Sequence, residues 1–269
     1  MESDKLGFFV VVVCVLVLAL ILGCTKNAEY WHDRGFEEND LNKKIEFYTK
    51  AISINPNYAR AYNNRGVAYD ELKRYSDATA DFTKVISIDP DYIMAYNNRG
   101  SIYKKQKKYN DAITDFDKAV SLDPDSSLVY HNRGIVYREL KRYNEAIADF
   151  IKAINIDPNN VYAYTGRGRT YYLLKNYDKA MIDVSIALKF SPDEPYSLAL
   201  RSDIYRELGK YDEAMADINK AIGLNPDDGA FYYTRGLNYS VLGEKEKALA
   251  DFRKACDMGQ EDACKKYNK

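Results

Sequence analysis

A chain of 269 residues with 39 basic and 40 acidic side chains carries almost no net charge, which argues against electrostatic capture of nucleic acid or of an acidic membrane surface. Hydrophobic residues make up 46%, tyrosine alone numbers 25, and Gly (14) and Pro (7) are few. That composition suits helices packed through aromatic side chains rather than disorder or a β-sandwich.

The first segment stands apart. Leu6 to Leu22 is apolar throughout, relieved only by Gly7. As a helix rising about 1.5 Å per residue it would reach roughly 25 Å, the lower limit for crossing a bilayer. The run ends in Leu20-Ile21-Leu22-Gly23-Cys24 and turns polar at Thr25-Lys26-Asn27. This resembles the lipobox of bacterial lipoproteins, an apolar stretch followed by a small residue and a cysteine. The resemblance implies a signal peptide over 1–23 and lipidation of Cys24, with 24–27 as a tether. Against the usual pattern, Ile21 stands where Leu is commoner, and the n-region pairs one Lys with two acids. The alternative is an uncleaved signal anchor with Cys24 at the membrane edge. Either arrangement anchors the chain to a membrane of the cell envelope, facing the periplasm or exterior. In a cell with two membranes, the absence of Asp after Cys24 favours the outer one. From Cys24 to Tyr30 the chain extends at most about 20 Å, so the first folded element is expected close to the membrane.

Beyond this segment the sequence repeats itself. Prolines fall at Pro56, Pro90, Pro124, Pro158, Pro192 and Pro226, each 34 residues after the last. With the proline as position 32, position 8 reads Gly66, Gly100, Gly134, Gly168, Ser202 and Gly236. Position 11 is always Tyr, from Tyr69 to Tyr239, and position 20 always Ala, from Ala78 to Ala248. Position 24 reads Phe82, Phe116, Phe150, Val184, Ile218 and Phe252. Small residues at 8 and 20 let two helices approach closely while bulky ones at 4, 11 and 24 fill the ridges beside the contact. Proline stops the second helix, and segments such as Leu72-Lys73-Arg74-Tyr75 join the two.

The pattern resembles the tetratricopeptide repeat family over residues 28–258. The resemblance implies an all-α fold, a right-handed α-solenoid of about seven helical hairpins whose first helices line a concave groove, followed by a C-terminal capping helix over 259–269. Trp31-His32-Asp33-Arg34-Gly35 matches Tyr62-Asn63-Asn64-Arg65-Gly66, yet Gly35 to Pro56 is 21 residues against 24 for Gly66 to Pro90. The first repeat therefore reads as degenerate, with three residues missing between its helices and Lys44 in place of the small residue at 20. Trp31 is expected to be a core wedge.

Two positions depart from the family together. Position 7, usually apolar, is Arg34, Arg65, Arg99, Arg133, Arg167, Arg201 and Arg235; position 23 is Asp81, Asp115, Asp149, Asp183, Asp217 and Asp251, with Phe47 in the degenerate repeat. Opposite charges arising together at partly buried positions predict direct pairing, within a hairpin or between neighbouring hairpins. A row of arginines binding an anion is the alternative.

In the family, groove-lining positions are 2, 5, 9 and 12. Carried over, they are richest in Tyr and Arg in the second half, where Tyr162, Arg169, Tyr172, Tyr196, Arg206 and Tyr233 form a candidate peptide-binding groove. The alternative is a groove partly closed by its own tyrosines. The Lys/Asn combination of carboxylate-clamping relatives is absent. Cys256 and Cys264 flank Gly259, and this resembles the disulfide-stapled, Sel1-like relatives of the fold; the resemblance implies a bridge, with two buried thiols as the alternative. No zinc-type His/Cys spacing or phosphate-binding glycine loop is present, and the two histidines lie in different repeats, so neither metal, cofactor nor catalytic residue is assigned. The Thr165-Gly166-Arg167-Gly168 run lacks the preceding strand of a dinucleotide turn. The expected function is a membrane-tethered scaffold for protein–protein interaction or assembly, not an enzyme. Its alternative is a regulatory adaptor that recruits or restrains an envelope hydrolase.

Overall fold

The computed structural model describes residues 27–267, so the lipobox and Cys24 lie outside the described residues. Among the described residues there are fifteen helices and no strand. They form seven hairpins: α1 (Ala28–Glu37) with α2 (Leu41–Ile54), α3 (Ala59–Glu71) with α4 (Tyr75–Ile88), α5 (Ile93–Lys105) with α6 (Tyr109–Leu122), α7 (Ser127–Glu139) with α8 (Tyr143–Ile156), α9 (Val161–Leu173) with α10 (Tyr177–Phe190), α11 (Pro195–Glu207) with α12 (Tyr211–Leu224), and α13 (Gly229–Val241) with α14 (Lys245–Asp257). A short α15 (Glu261–Tyr267) follows. No described helix is long and apolar enough to cross a membrane.

The chain divides into two compact units, Met1–Leu122 and Asp123–Lys269. The first holds α1 to α6, the second α7 to α15. In each, a first helix packs on the second helix of its own hairpin and on that of the preceding one. In the second unit the first helices also touch in series, α7 to α9, α9 to α11 and α11 to α13. The core repeats with the sequence. Ala78, Ala112, Ala146, Ala180 and Ala214 are fully buried, as is the residue at position 24 in Phe116, Phe150, Val184 and Ile218. A Cβ on Gly66, Gly100 or Gly236 would lie 2.7–2.9 Å from the ring of Phe82, Phe116 or Phe252, which is why the position opposite the wedge has no side chain. Where position 24 shrinks to Ile218, position 8 becomes Ser202, whose hydroxyl donates to the Ala214 carbonyl at 2.7 Å.

Both turns have local causes. Before four of the repeat prolines an Asp or Asn closes an Asx turn: Asn55, Asp89, Asp123 and Asp157 accept from the N–H two residues on at 3.0–3.1 Å. The inter-helix turn is a Schellman motif, with Arg74 N–H donating to the Tyr69 carbonyl and Lys73 N–H to that of Asp70, both at 2.8 Å. It needs one left-handed residue. Gly209 (φ 73°) and Gly243 (φ 77°) supply it late in the chain, but Lys73, Lys107 and Lys141 (φ 59°) and Lys175 (φ 57°) occupy it earlier. A Cβ is strained there, so Lys107→Gly should raise stability by about 0.5–1 kcal/mol in urea unfolding. No gain would mean that the lysine stem offsets the strain.

The first repeat corrects the expectation about its missing residues. The α1–α2 connection keeps three residues, Glu38 to Asp40, as the others do; the deletion falls on the last turn of α1, which has 10 residues against 13 for α3. Glu38 ends α1 in an extended conformation rather than a left-handed one, and Asp40 caps α2 by accepting from Lys43 N–H at 2.9 Å. The packing register survives, because Gly35 faces Tyr48 as Gly66 faces Phe82. Trp31 stacks on Phe47 at 5.6 Å between ring centroids and is half-buried.

Candidate functional site

The charged rows resolve first. Each arginine from Arg65 to Arg235 grips the aspartate sixteen residues on through Nε and Nη2, with all twelve bonds between 2.6 and 2.8 Å. The pair joins the two helices of one hairpin. The third nitrogen reaches the preceding hairpin: Nη1 of Arg65, Arg99 and Arg235 donates to Thr49, Thr83 and Asn219 at 2.9–3.0 Å. Of the two expected arrangements, Arg and Asp pair within a hairpin, and the neighbouring hairpin is reached through Thr or Asn on the same guanidinium. Tyrosines at positions 4 and 11 flank it, as Tyr62 and Tyr69 do Arg65 at 5.4 and 5.8 Å. The six aspartates are 2–8% exposed. In Arg99, Arg167, Arg201 and Arg235 the aspartate raises the guanidinium pKa against the pull of burial. Burial raises the Asp81 carboxyl despite Arg65, a sign that these pairs carry a real desolvation cost. In the degenerate repeat Arg34 lies over the Phe47 ring at 5.4 Å instead. These arginines are committed to structure, not open to a ligand.

The candidate groove residues fall into three sets. Tyr172 and Arg206 belong to an internal network around Asp203. Arg169 Nη1 donates to one Asp203 oxygen at 2.6 Å and Arg206 Nη1 to the other at 2.7 Å. Arg206 also donates to the Tyr172 hydroxyl at 3.1 Å and to Asn238 at 3.2 Å. Burial and the Asp203 carboxylate push the Tyr172 hydroxyl up to about 12. This network ties α9, α11 and α13 together and closes that part of the surface with the chain's own side chains. Tyr233, half-buried, packs against Phe252 at 5.8 Å and lies outside it.

The remaining residues, Tyr162, Arg169 and Tyr196, border one cleft of about 300 Å³ across α7, α9 and α11. Its other walls are His131, Ile135 and Arg138 from α7, with Thr165 and Gly166 at the base. Tyr162 is 61% exposed and Tyr196 48%. Tyr196 is aimed by its hydroxyl's bond to Asp228 at 2.8 Å and by the Phe231 ring at 5.3 Å. Burial and that bond push its hydroxyl up to about 12. Thr165 is fixed by the Ser197 hydroxyl at 2.6 Å. His131, Ile135 and Arg138 hold groove positions 5, 9 and 12 of the fourth hairpin, outside the Tyr- and Arg-rich set of candidates. The overlooked signal is Gly166, which stands where other repeats carry Asn64, Asn98 or Asn132 and admits the Phe150 ring where their side chains would begin.

At the C-terminus Cys256 and Cys264 are bonded, 4.7 Å apart at Cα, and α15 packs against α14. Ala263 is fully buried with Ala255 and Tyr232. The closed loop is short, so removing the bridge by Cys256→Ala/Cys264→Ala should cost about 2–3 kcal/mol, read as faster hydrogen exchange in α15. Unchanged exchange would show that Ala263 alone holds the helix. Among the described residues no group of three His, Cys, Asp or Glu side chains could hold a metal.

Comparisons agree with the hairpin geometry. Tetratricopeptide repeat models match residues 33–73, 59–92, 93–126, 116–148, 136–175, 195–228 and 230–267. The chain belongs to the tetratricopeptide repeat family, whose folds bind protein or peptide partners, and no catalytic family is indicated. It is similar to a tetratricopeptide repeat protein of Parabacteroides merdae, with 25% identity, a TM-score of 0.76, and 89% of this chain and 96% of that one covered. PilF of Pseudomonas aeruginosa is 19% identical with a TM-score of 0.65, covering 81% and 97%. YrrB, a tetratricopeptide protein with an unusual peptide-binding site, is 22% identical with a TM-score of 0.50, covering 68% and 94%. An uncharacterized protein of Methanocaldococcus jannaschii is 38% identical over 60 residues, 21% of this chain and 70% of that one.

Proposed function

We propose that this protein is a membrane-tethered scaffold of the bacterial cell envelope, whose α7–α9–α11 cleft holds an extended segment of a partner protein. The observation that carries the binding reading is the pair of exposed tyrosines, Tyr162 and Tyr196, aligned one repeat apart over a cleft with a polar base. Tyrosine gives large contact area at little cost in side-chain entropy, and it concentrates in binding hot spots. Arg169, on the cleft wall, is held by Asp203, so the cleft is preorganised and little ordering accompanies binding. The tether rests on the apolar run Leu6–Leu22 and the cysteine that follows it. Outer-membrane placement and a role in envelope assembly belong to the same reading.

Two measurements test it separately. A palmitate label should enter the full chain and vanish in Cys24→Ala; equal labelling of both removes the lipid tether. Tyr162→Ala/Tyr196→Ala should reduce capture of the native partner by membrane crosslinking about a hundredfold while leaving the melting temperature unchanged. Undiminished capture by that variant moves the binding surface elsewhere.

A further inference from the structure

We propose that the partner segment places an acidic side chain between Arg138 and Arg169, next to an apolar or aromatic residue that meets Tyr162 and Tyr196. The inference rests on the peptide-binding reading and names the chemistry of the peptide. Among the described residues lining the cleft there are two guanidiniums and no carboxylate. Elsewhere in this unit, Arg167, Arg201 and Arg235 each meet a buried aspartate through two short bonds. Arg138 is different. Its side chain is only 19% exposed, yet its ion pair is a single 3.3 Å contact with Glu139, a 45% exposed neighbour on the same helix.

The nearby acids are already engaged. Asp203 serves both Arg169 and Arg206. Glu207 accepts from the hydroxyls of Tyr172 and Tyr177 and does not line the cleft. Arg169 and Arg206 thus share one buried carboxylate, and Arg138 is left with Glu139 alone. Burial outweighs the help from Glu139 and, reinforced by the charge of Arg169, lowers the Arg138 pKa. A carboxylate entering the cleft would relieve that imbalance and make charge-assisted bonds in a partly dry site, where they are strongest.

Shape complements charge. Gly166 lets the Phe150 ring come up against the cleft wall, where a Cβ would strike it at 2.5 Å, so the ring forms an apolar surface beside the guanidiniums. Ile135 and the two tyrosine rings provide apolar edges on either side of the guanidiniums. A small free anion would leave these edges uncovered, whereas an acidic residue flanked by Leu, Phe or Tyr covers them.

The test is selection from a random phage-displayed peptide library on the full-length protein in nanodiscs, followed by affinity measurement of the selected peptides. The expected result is enrichment of Asp or Glu beside an apolar residue. Changing that Glu to Gln in the peptide should weaken binding about tenfold, and Arg138→Gln should abolish this difference while Arg138→Lys keeps part of it. The Glu-to-Gln comparison uses the unaltered protein, so it stands even if an arginine variant folds poorly. Selected peptides that bind equally with Glu or Gln would overturn the carboxylate inference and leave peptide binding intact. If no peptide is selected, both fall.

Discussion

Replacing Asp183 by asparagine should destabilise the second unit by about 3–5 kcal/mol, the cost of leaving a buried guanidinium without its counter-charge. Asp183 is 3% exposed at its side chain and Arg167 19%, so water screens neither well. The asparagine keeps the shape and one acceptor but neither the charge nor the bidentate fit. Arg167 also has an apolar residue where other arginines find an acceptor on the preceding hairpin. Ile151 stands sixteen residues before it, where Thr49, Thr83 and Asn219 accept the third N–H of other arginines. The loss should concentrate in the fourth and fifth hairpins, because a solenoid's stability is a sum over repeats and their interfaces. Hydrogen exchange resolved by helix would show it. The double variant Arg167→Met/Asp183→Leu should recover most of the loss, since an apolar pair of similar volume carries no desolvation cost. By contrast, Asp77→Asn should change stability by about 0.5 kcal/mol or less, because its pair with Arg74 is nearly half exposed on both sides.

The second large effect is expected at Phe150. Its ring is fully buried and lies against the backbone of two helices at once, 3.0–3.2 Å from where a Cβ on Gly134 would sit and 2.5–3.1 Å from one on Gly166. Phe82 and Phe116 have one such glycine each, Gly66 and Gly100. Phe150→Ala should therefore cost about 3–5 kcal/mol, and it removes the ring under the cleft that His131 approaches at 5.8 Å. The variant is expected to bind partner more weakly than its residual folded fraction accounts for. If binding per folded molecule is unchanged, the cleft does not depend on that floor. Gly166→Ala should act from the other side. It would gain about 1 kcal/mol of helix propensity but force the ring to move, at a cost of about 1–3 kcal/mol.

The hairpins were legible because identity recurs at a fixed spacing, and a side chain that recurs opposite another must meet it in every repeat. The Arg and Asp rows follow from that logic, and so does the tyrosine count, since positions 4 and 11 flank the arginine one helical turn either side. The place of the deletion was not legible. Spacing alone counts three missing residues between Gly35 and Pro56, but only the capping by Asp40 and the extended Glu38 show that the turn is kept and a helical turn of α1 lost. The left-handed lysines were hidden for a related reason. Lysine there gives no compositional signal, whereas Gly209 and Gly243 at the same position give it openly.

The groove was legible as a set of positions but not as an occupied surface. Tyr172 and Arg206 have the residue types of a hot spot, yet Asp203, three residues before Arg206, holds Arg206, which in turn donates to the Tyr172 hydroxyl one repeat back. Whether a tyrosine faces solvent or a neighbour depends on residues 30 to 35 positions distant, such as Glu207 for Tyr172. That information lies in the superposition of repeats and not in any one of them.

The central claim, that the α7–α9–α11 cleft holds the partner, is tested most directly by photocrosslinking in native membranes. Benzoylphenylalanine is placed at Tyr162, in the cleft, or at Ile182, a 60% exposed residue on the second helix α10. A single partner crosslinked from position 162 and not from 182 is the predicted result. The same partner crosslinked from 182 and not from 162 would contradict it.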